Sequence, residues 1–303
     1  MILMQLKAIA FVFSAASSLT LTAPSSMPAP PQAQEQRSVD AKDEDARSTS
    51  KSSDTAREIK TEKPKAASDL PGVYPTAGFG RGFHGLARDF LGDQERIWTS
   101  PAKLRFSDTE WLVPLSGISA GLFVTDRDFS KHLSQNPTTI SHYKTLSNAG
   151  VAALIGGAGG MWAMGHVSHN EHWSETGFLA GEAALNSLVA VESFKYTLRR
   201  QRPYQGDGSG SFFQSSGTSF PSEHSAAAWS VAGVIAHEYP GAFTKIMVYG
   251  LASLVDISRI RGHQHFPSDV LVGSVIGNLV AQNIYSRRHD PDLGGGEWRS
   301  ISQ

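Results

Sequence analysis

Three short stretches collect side chains that could do chemistry together: residues 195–203 (KYTLRRQRP), 219–225 (SFPSEHS) and 258–269 (SRIRGHQHFPSD). They supply cations, imidazoles, hydroxyls and carboxylates, the inventory for holding a phosphate and breaking its ester bond. In the first, Lys195 and Arg202 are seven residues apart. That is nearly two helical turns, which puts them on one helix face with Arg199 between them. Pro203 pushes Arg202 out of α geometry, so Arg202 is expected at the helix end. A guanidinium suits two-point contact with phosphate oxygens, and an ammonium supplies a point charge. Taken alone, the stretch reads equally as a solvated basic helix end.

The second stretch precedes the small apolar run Ala226, Ala227 and Ala228 and marks a helix start. Helix N-termini present unpaired N–H groups that favour anions. Ser222 and the amide of Glu223 could face a phosphate oxygen there, with His224 able to give a proton to a leaving alcohol. A plain N-cap beside a surface histidine is the bland alternative. In the third stretch, Pro267 disfavours helix at Phe266. His265 is therefore expected in a loop and Asp269 in the first turn of the next helix. A carboxylate there could accept from one imidazole nitrogen and leave the other free as a nucleophile.

In order, the stretches have the form K-x6-R-P, P-S-x-H and S-R-x5-H-x3-D. This resembles the motif of the type 2 phosphatidic acid phosphatase superfamily, which includes acid phosphatases and vanadium haloperoxidases. The resemblance implies that His265 is the nucleophile, Asp269 its orienter, and Lys195, Arg202 and Arg259 phosphate ligands. Arg199, Arg200, Arg261 and His263 are not motif positions. The chain departs from the family at Glu223, where glycine is usual. Like charges repel, so Glu223 is expected to point away from a phosphate dianion, toward the helix dipole. The implied activity is phosphate monoester hydrolysis through a phosphohistidine, without metal or other cofactor. The implied substrate is a phosphate ester, with a membrane lipid as one class. Two alternatives use the same pocket: a haloperoxidase that holds vanadate as cofactor, and a catalytically silent phosphate-binding periplasmic module. In the phosphatase reading vanadate is an inhibitor.

The elements that must position these groups follow from composition and patterning. The chain has 303 residues, a formal net charge of −1 and no cysteine. This balance gives no reason to expect a nucleic-acid partner, and disulfides and thiolate chemistry are excluded. Lys7 followed by an apolar run reads as an export signal over residues 1–23, with an uncleaved anchor as the other reading of the same stretch. Residues 24–70 are polar, with mixed charges, and are expected to be a disordered linker. A periplasmic or envelope location follows. A glycine-rich lead-in is expected up to Gly85.

Helical spacing of apolar residues is expected over 109–125, 147–164, 174–200, 222–237, 243–257 and 268–286, with few strand-type runs. The expectation is one all-α bundle over residues 71–288, then a loose tail over 289–303. Run lengths favour a soluble bundle, although the uncharged run 145–166 is long enough to span a bilayer. His166, His169 and His172, near Glu171 and Glu175, have spacing that a metal could use, and a polar rim is the plainer reading. No metal ligand set is assigned.

Overall fold

The computed structural model of the chain describes residues 82–103 and 105–298. The expected export signal and linker lie outside the described residues. Among those described there are seven α-helices and no strand: α1 (Gly82–Thr99), α2 (Thr109–Lys131), α3 (Pro137–Ser168), α4 (Glu171–Leu198), α5 (Glu223–Glu238), α6 (Ala242–Arg261) and α7 (Pro267–Arg288). The all-α expectation holds, and each of the six expected helices is present, with α3 starting ten residues before and α2 ending six residues after the expected bounds. No helix among the described residues is long and apolar enough to cross a membrane.

Helix α5 is the axis of the bundle and packs against α3, α4, α6 and α7. Its residues Ala226, Ala227, Ala228, Val231, Ala232, Val234 and Ala236 are buried. A helix apolar on most of its circumference must be enclosed by others. Small residues let it be enclosed closely. A Cβ at Gly273 of α7 would sit 2.4 Å from the Ser222 carbonyl oxygen, and one at Gly277 would sit 2.2 Å from that of Ala226. Glycine at these two positions is what brings the start of α7 against the start of α5, the two places that carry His224 and Asp269.

Local signals set the helix ends. Asn136 caps α3, accepting from the Thr138 amide at 2.9 Å, and Pro137 occupies the first turn. Asn170 caps α4, accepting from the Trp173 amide at 3.0 Å. Ser222 caps α5, accepting from the Ser225 amide at 3.4 Å. Such caps each contribute about 1 kcal/mol.

Three expectations change. Helix α1 begins at Gly82, inside the expected irregular lead-in. It docks through polar and apolar contacts together: buried Asp93 accepts from Arg287 at 3.1 Å and Arg288 at 2.7 Å, Gln94 donates to Asn186 Oδ1 at 2.8 Å, and Ile97 packs against the core. Helix α4 ends at Leu198 because Arg199 turns left-handed at φ 45°. Arg202 therefore lies in the following loop, not on a helix face shared with Lys195. The tail over residues 289–298 is packed, not loose. The Gly296 amide donates to the His237 carbonyl at 2.8 Å, and the Trp298 ring stacks on His237 at 3.5 Å.

Candidate active site

The eight residues singled out from the sequence come to one end of the bundle. Lys195 is in the last turn of α4, Arg202 in the loop after it, and Ser222, Glu223 and His224 at the start of α5. Arg259 is in the last turn of α6, His265 in the α6–α7 loop and Asp269 in the first turn of α7.

His265 is buried, 1% exposed. Its Nδ1 lies 2.6 Å from the Ser219 carbonyl oxygen. A carbonyl only accepts, so Nδ1 carries the proton and Nε2 presents its lone pair. Nε2 is buried and has no hydrogen-bond partner. Burial, reinforced by the charges of Arg259 and Arg202 and opposed by Asp269, pushes the His265 pKa down to about 3. The ring is therefore neutral over the physiological range, as a nitrogen nucleophile must be.

The orienting role expected of Asp269 is divided. Asp269 Oδ2 is 3.8 Å from His265 Nδ1, beyond hydrogen-bond reach, and the direct partner is the Ser219 carbonyl. Asp269 instead fixes the frame around that carbonyl. Its Oδ2 accepts from the Ser219 hydroxyl at 2.5 Å and the Phe266 amide at 2.9 Å, and its Oδ1 accepts from Arg200 at 2.6 Å. Burial works to raise the Asp269 pKa; nearby His265, Arg200 and Ser219 outweigh it and hold the carboxyl below its ordinary value.

Arg200 is the largest omission of the motif reading. It is buried and also donates to Asp126 at 2.8 Å, Ser268 at 2.7 Å and the Gly210 carbonyl at 3.0 Å. Its guanidinium lies against Phe266, with the Cζ atom 4.4 Å from the ring centroid. No short motif could reveal these partners, because Asp126 is on α2, far away in sequence. Ser147 and Asn148 of α3 were missed for the same reason.

Glu223 does not point away. It forms an ion pair with the Lys195 ammonium, which Glu192 also contacts at 3.0 Å. Its other oxygen is 3.4 Å from His224 Nδ1. Burial favours the neutral Glu223 acid, but His224, Lys195 and Glu192 together hold it well below its ordinary pKa. The physical reason is local: a nearly buried ammonium needs a carboxylate more than the helix end does. His224 Nε2 lies 3.0 Å from Asn148 Oδ1. Burial lowers the His224 pKa below 6.5, and Glu223 opposes that shift.

The two remaining cations lack such partners. Arg202 reaches Thr218 Oγ1 at 3.1 Å and Gln264 at 3.3 Å. Arg259, 3% exposed, has one contact to Ser147 Oγ at 3.4 Å, and its Nε is buried without a partner. Burial first, then the neighbouring Arg202, pushes the Arg259 pKa down to about 10. Two guanidiniums close enough to repel, with no carboxylate bonded to either among the described residues, make a receptor for a multivalent anion. Beside Pro203 and Gln264 a cavity of about 710 Å³ opens, lined in part by Arg127, Lys131 and Lys144.

The histidines whose spacing a metal could use divide between two places, and His166 and His169 line one small cavity with Glu171. His166 stacks on Trp162, and His169 ends α3 in a left-handed conformation. His172 pairs instead with Glu238 at 3.1 Å.

Residues 176–291 match the model of the PAP2 superfamily, a span that holds all eight site residues. A lipid A 1-phosphatase of Porphyromonas gingivalis is 31% identical over 126 residues, which is 40% of this chain and 26% of that protein. The chain thus spans about a quarter of the length of that curated relative. Among solved structures, Aquifex aeolicus LpxE aligns with a TM-score of 0.41 and 20% identity, covering 55% of this chain and 94% of that one. The first transmembrane PAP2 type phosphatidylglycerolphosphate phosphatase from Bacillus subtilis aligns with a TM-score of 0.37 and 20% identity, covering 69% and 97%.

Proposed function

With a PAP2-superfamily segment over residues 176–291, we propose that this protein hydrolyses a lipid phosphate monoester through a phosphohistidine on His265. The observation that carries the reading is the pairing of a buried, neutral His265 with the carboxylate-free guanidiniums of Arg202 and Arg259. The lipid class is supported by the relative's activity and by exposed apolar side chains two residues from Arg202 and Arg259 in the chain, Tyr204 and Ile257.

Arg202 and Arg259 hold the phosphate and offset charge on its equatorial oxygens, joined by Lys195 as it exchanges Glu223 for the substrate. The start of α5, with Ser222 and the amide of Glu223, faces the same anion. His265 Nε2 attacks phosphorus as the bond to the ester oxygen breaks. Protonated His224 gives its proton to that oxygen, and the alcohol leaves. Neutral His224 then takes a proton from water, whose oxygen attacks phosphorus and releases His265. The ring of His265 is cationic while phosphorylated, and Asp269 stabilises that charge. Every proton in the cycle moves through His224, so no metal is required.

The full chain should release inorganic phosphate from lipid phosphomonoesters in detergent micelles, with inhibition by vanadate. Release from small soluble phosphomonoesters alone would remove the lipid assignment, and no release from either would remove the enzyme reading. Glu223→Gln tests the departure from the family pattern. Glu223 raises the His224 pKa, and the general acid must be protonated, so turnover is lost as pH rises through that pKa. The alkaline limb of kcat/KM should therefore move to lower pH in the variant. KM should fall about two- to fivefold, the scale of one partly exposed ion pair, because Lys195 keeps only Glu192 as a carboxylate partner. An unmoved limb would show that Glu223 does not tune His224.

A further inference from the structure

At the far ends of the same helices lies a second cluster of ionisable groups that the reaction does not use. Glu175 is in the first turns of α4, Glu238 is the last residue of α5, and His289 caps the end of α7. Glu175 and Glu238 are each 1% exposed. One donor atom from each of the three lies within 4.8 Å of the others. His289 Nδ1 faces both acids, 3.2 Å from Glu238 Oε1 and 3.8 Å from Glu175 Oε1. His172 Nε2 adds a second imidazole, 3.1 Å from Glu238 Oε2.

Two carboxylates are buried together here with no lysine or arginine bonded to either among the described residues. Glu175 Oε1 accepts from the Asp290 amide at 2.6 Å, and Glu175 Oε2 is buried with no hydrogen-bond partner. An orphaned carboxylate oxygen in a buried site calls for a cation. The spacing also fits one. Bonds of about 2.0–2.2 Å in a tetrahedral zinc site put neighbouring donors about 3.3–3.5 Å apart. The distances from His289 to the two glutamates bracket that value.

We propose that Glu175, Glu238 and His289 form a structural site for a divalent transition metal such as Zn²⁺, with His172 holding the other oxygen of Glu238 in place. It fastens the C-terminal segment and α7 to α4 and α5. Nitrogen and carboxylate donors without thiolate suit Zn²⁺ and its first-row neighbours. His172 and His289 keep 21% and 11% of their side chains exposed, which leaves an entry path. Twenty helical residues separate Glu175 from Lys195, about 30 Å along α4, so the metal holds the bundle and takes no part in the reaction.

The test uses the full chain, stripped with a chelator and then titrated with Zn²⁺. Elemental analysis should find one Zn²⁺ per chain. The Tm should rise by about 5–10 °C at a hundredfold excess over Kd, given the size of the described domain. Glu238→Gln and His289→Ala should each lose both effects, whereas the double variant His166→Ala/His169→Ala should keep both. Absence of stoichiometric uptake in the wild type, or uptake unchanged in Glu238→Gln, would overturn the proposal. Glu238→Gln keeps the side-chain shape, so its metal-free Tm should stay close to that of the wild type. Should it melt lower, Glu175→Gln reads the same site, and uptake retained there is equally fatal.

Discussion

Replacing His265 with alanine should lower phosphate release by about 10⁴-fold or more, the scale of removing a covalent nucleophile, and abolish any trapped phosphoenzyme. The reason is positional as well as chemical. Nε2 is a buried nitrogen without a partner, its tautomer is fixed by the Ser219 carbonyl, and Arg259 and Arg202 are close enough to lower its pKa. Water entering the space would lack both the fixed lone pair and the alignment. His265→Gln keeps a polar side chain of similar volume and should be equally inactive, which separates loss of the nucleophile from loss of the fold. Rapid quenching of the wild type with labelled substrate should yield an acid-labile, base-stable phosphoryl adduct, and its persistence in either variant would refute the assignment. A second readout is stability against pH. The folded His265 pKa of about 3 lies below its value of 6.5 in the unfolded chain, so the unfolded state binds the proton first. His265 therefore costs nothing above about pH 6.5, and its contribution is progressively lost as pH falls toward 3. That segment of the stability profile should be shallower in His265→Gln.

What could be read from the sequence was the chemistry carried by residue type within a short window. His224, His265 and Asp269 stand out because proline, serine or glycine close to them fixes a helix boundary. The boundary then tells where the side chain goes. What could not be read depends on partners distant in the chain. Arg200 is adjacent to Arg199 in a basic run, yet one is buried and the other exposed. The difference is made by Asp126 of α2 and Asp269 of α7, neither of which a local window contains. Glu223 was misdirected for a related reason. Repulsion from a phosphate was weighed, but the attraction of Lys195, one helix away, prevails when no phosphate is present. Helix α1 escaped notice because its buried anchors, Asp93 and Gln94, are polar, and only Ile97 and Trp98 add apolar contacts with the core and Phe194. The tail looked loose from its glycines, although Trp298 and Gly296 bind it to α5.

Arg200→Met should destabilise the fold by about 3–5 kcal/mol, as measured by urea unfolding, because it leaves two buried carboxylates without their cation. Asp126 and Asp269 are each no more than 1% exposed, and Arg200 bridges them with contacts of 2.8 and 2.6 Å. Methionine fills much of the same space against Phe123, Phe212 and Phe266, so the loss is electrostatic more than steric. The sign of the pH dependence checks this. Burial already raises the Asp126 pKa, and Arg200 is among the groups that restrain it. Without the guanidinium both acids rise above their unfolded values. An acid with a raised folded pKa weakens the fold while ionised and stops doing so once protonated. The gap between variant and wild type should therefore narrow as pH falls. Asp126→Asn in the Arg200→Met background should recover part of the loss at neutral pH by removing one unpaired charge. A deficit that is constant with pH and insensitive to Asp126→Asn would mean that packing, not charge, is what Arg200 supplies. Activity should fall alongside stability, because Asp269 holds the Ser219 hydroxyl, and the Ser219 carbonyl is what fixes the tautomer of His265.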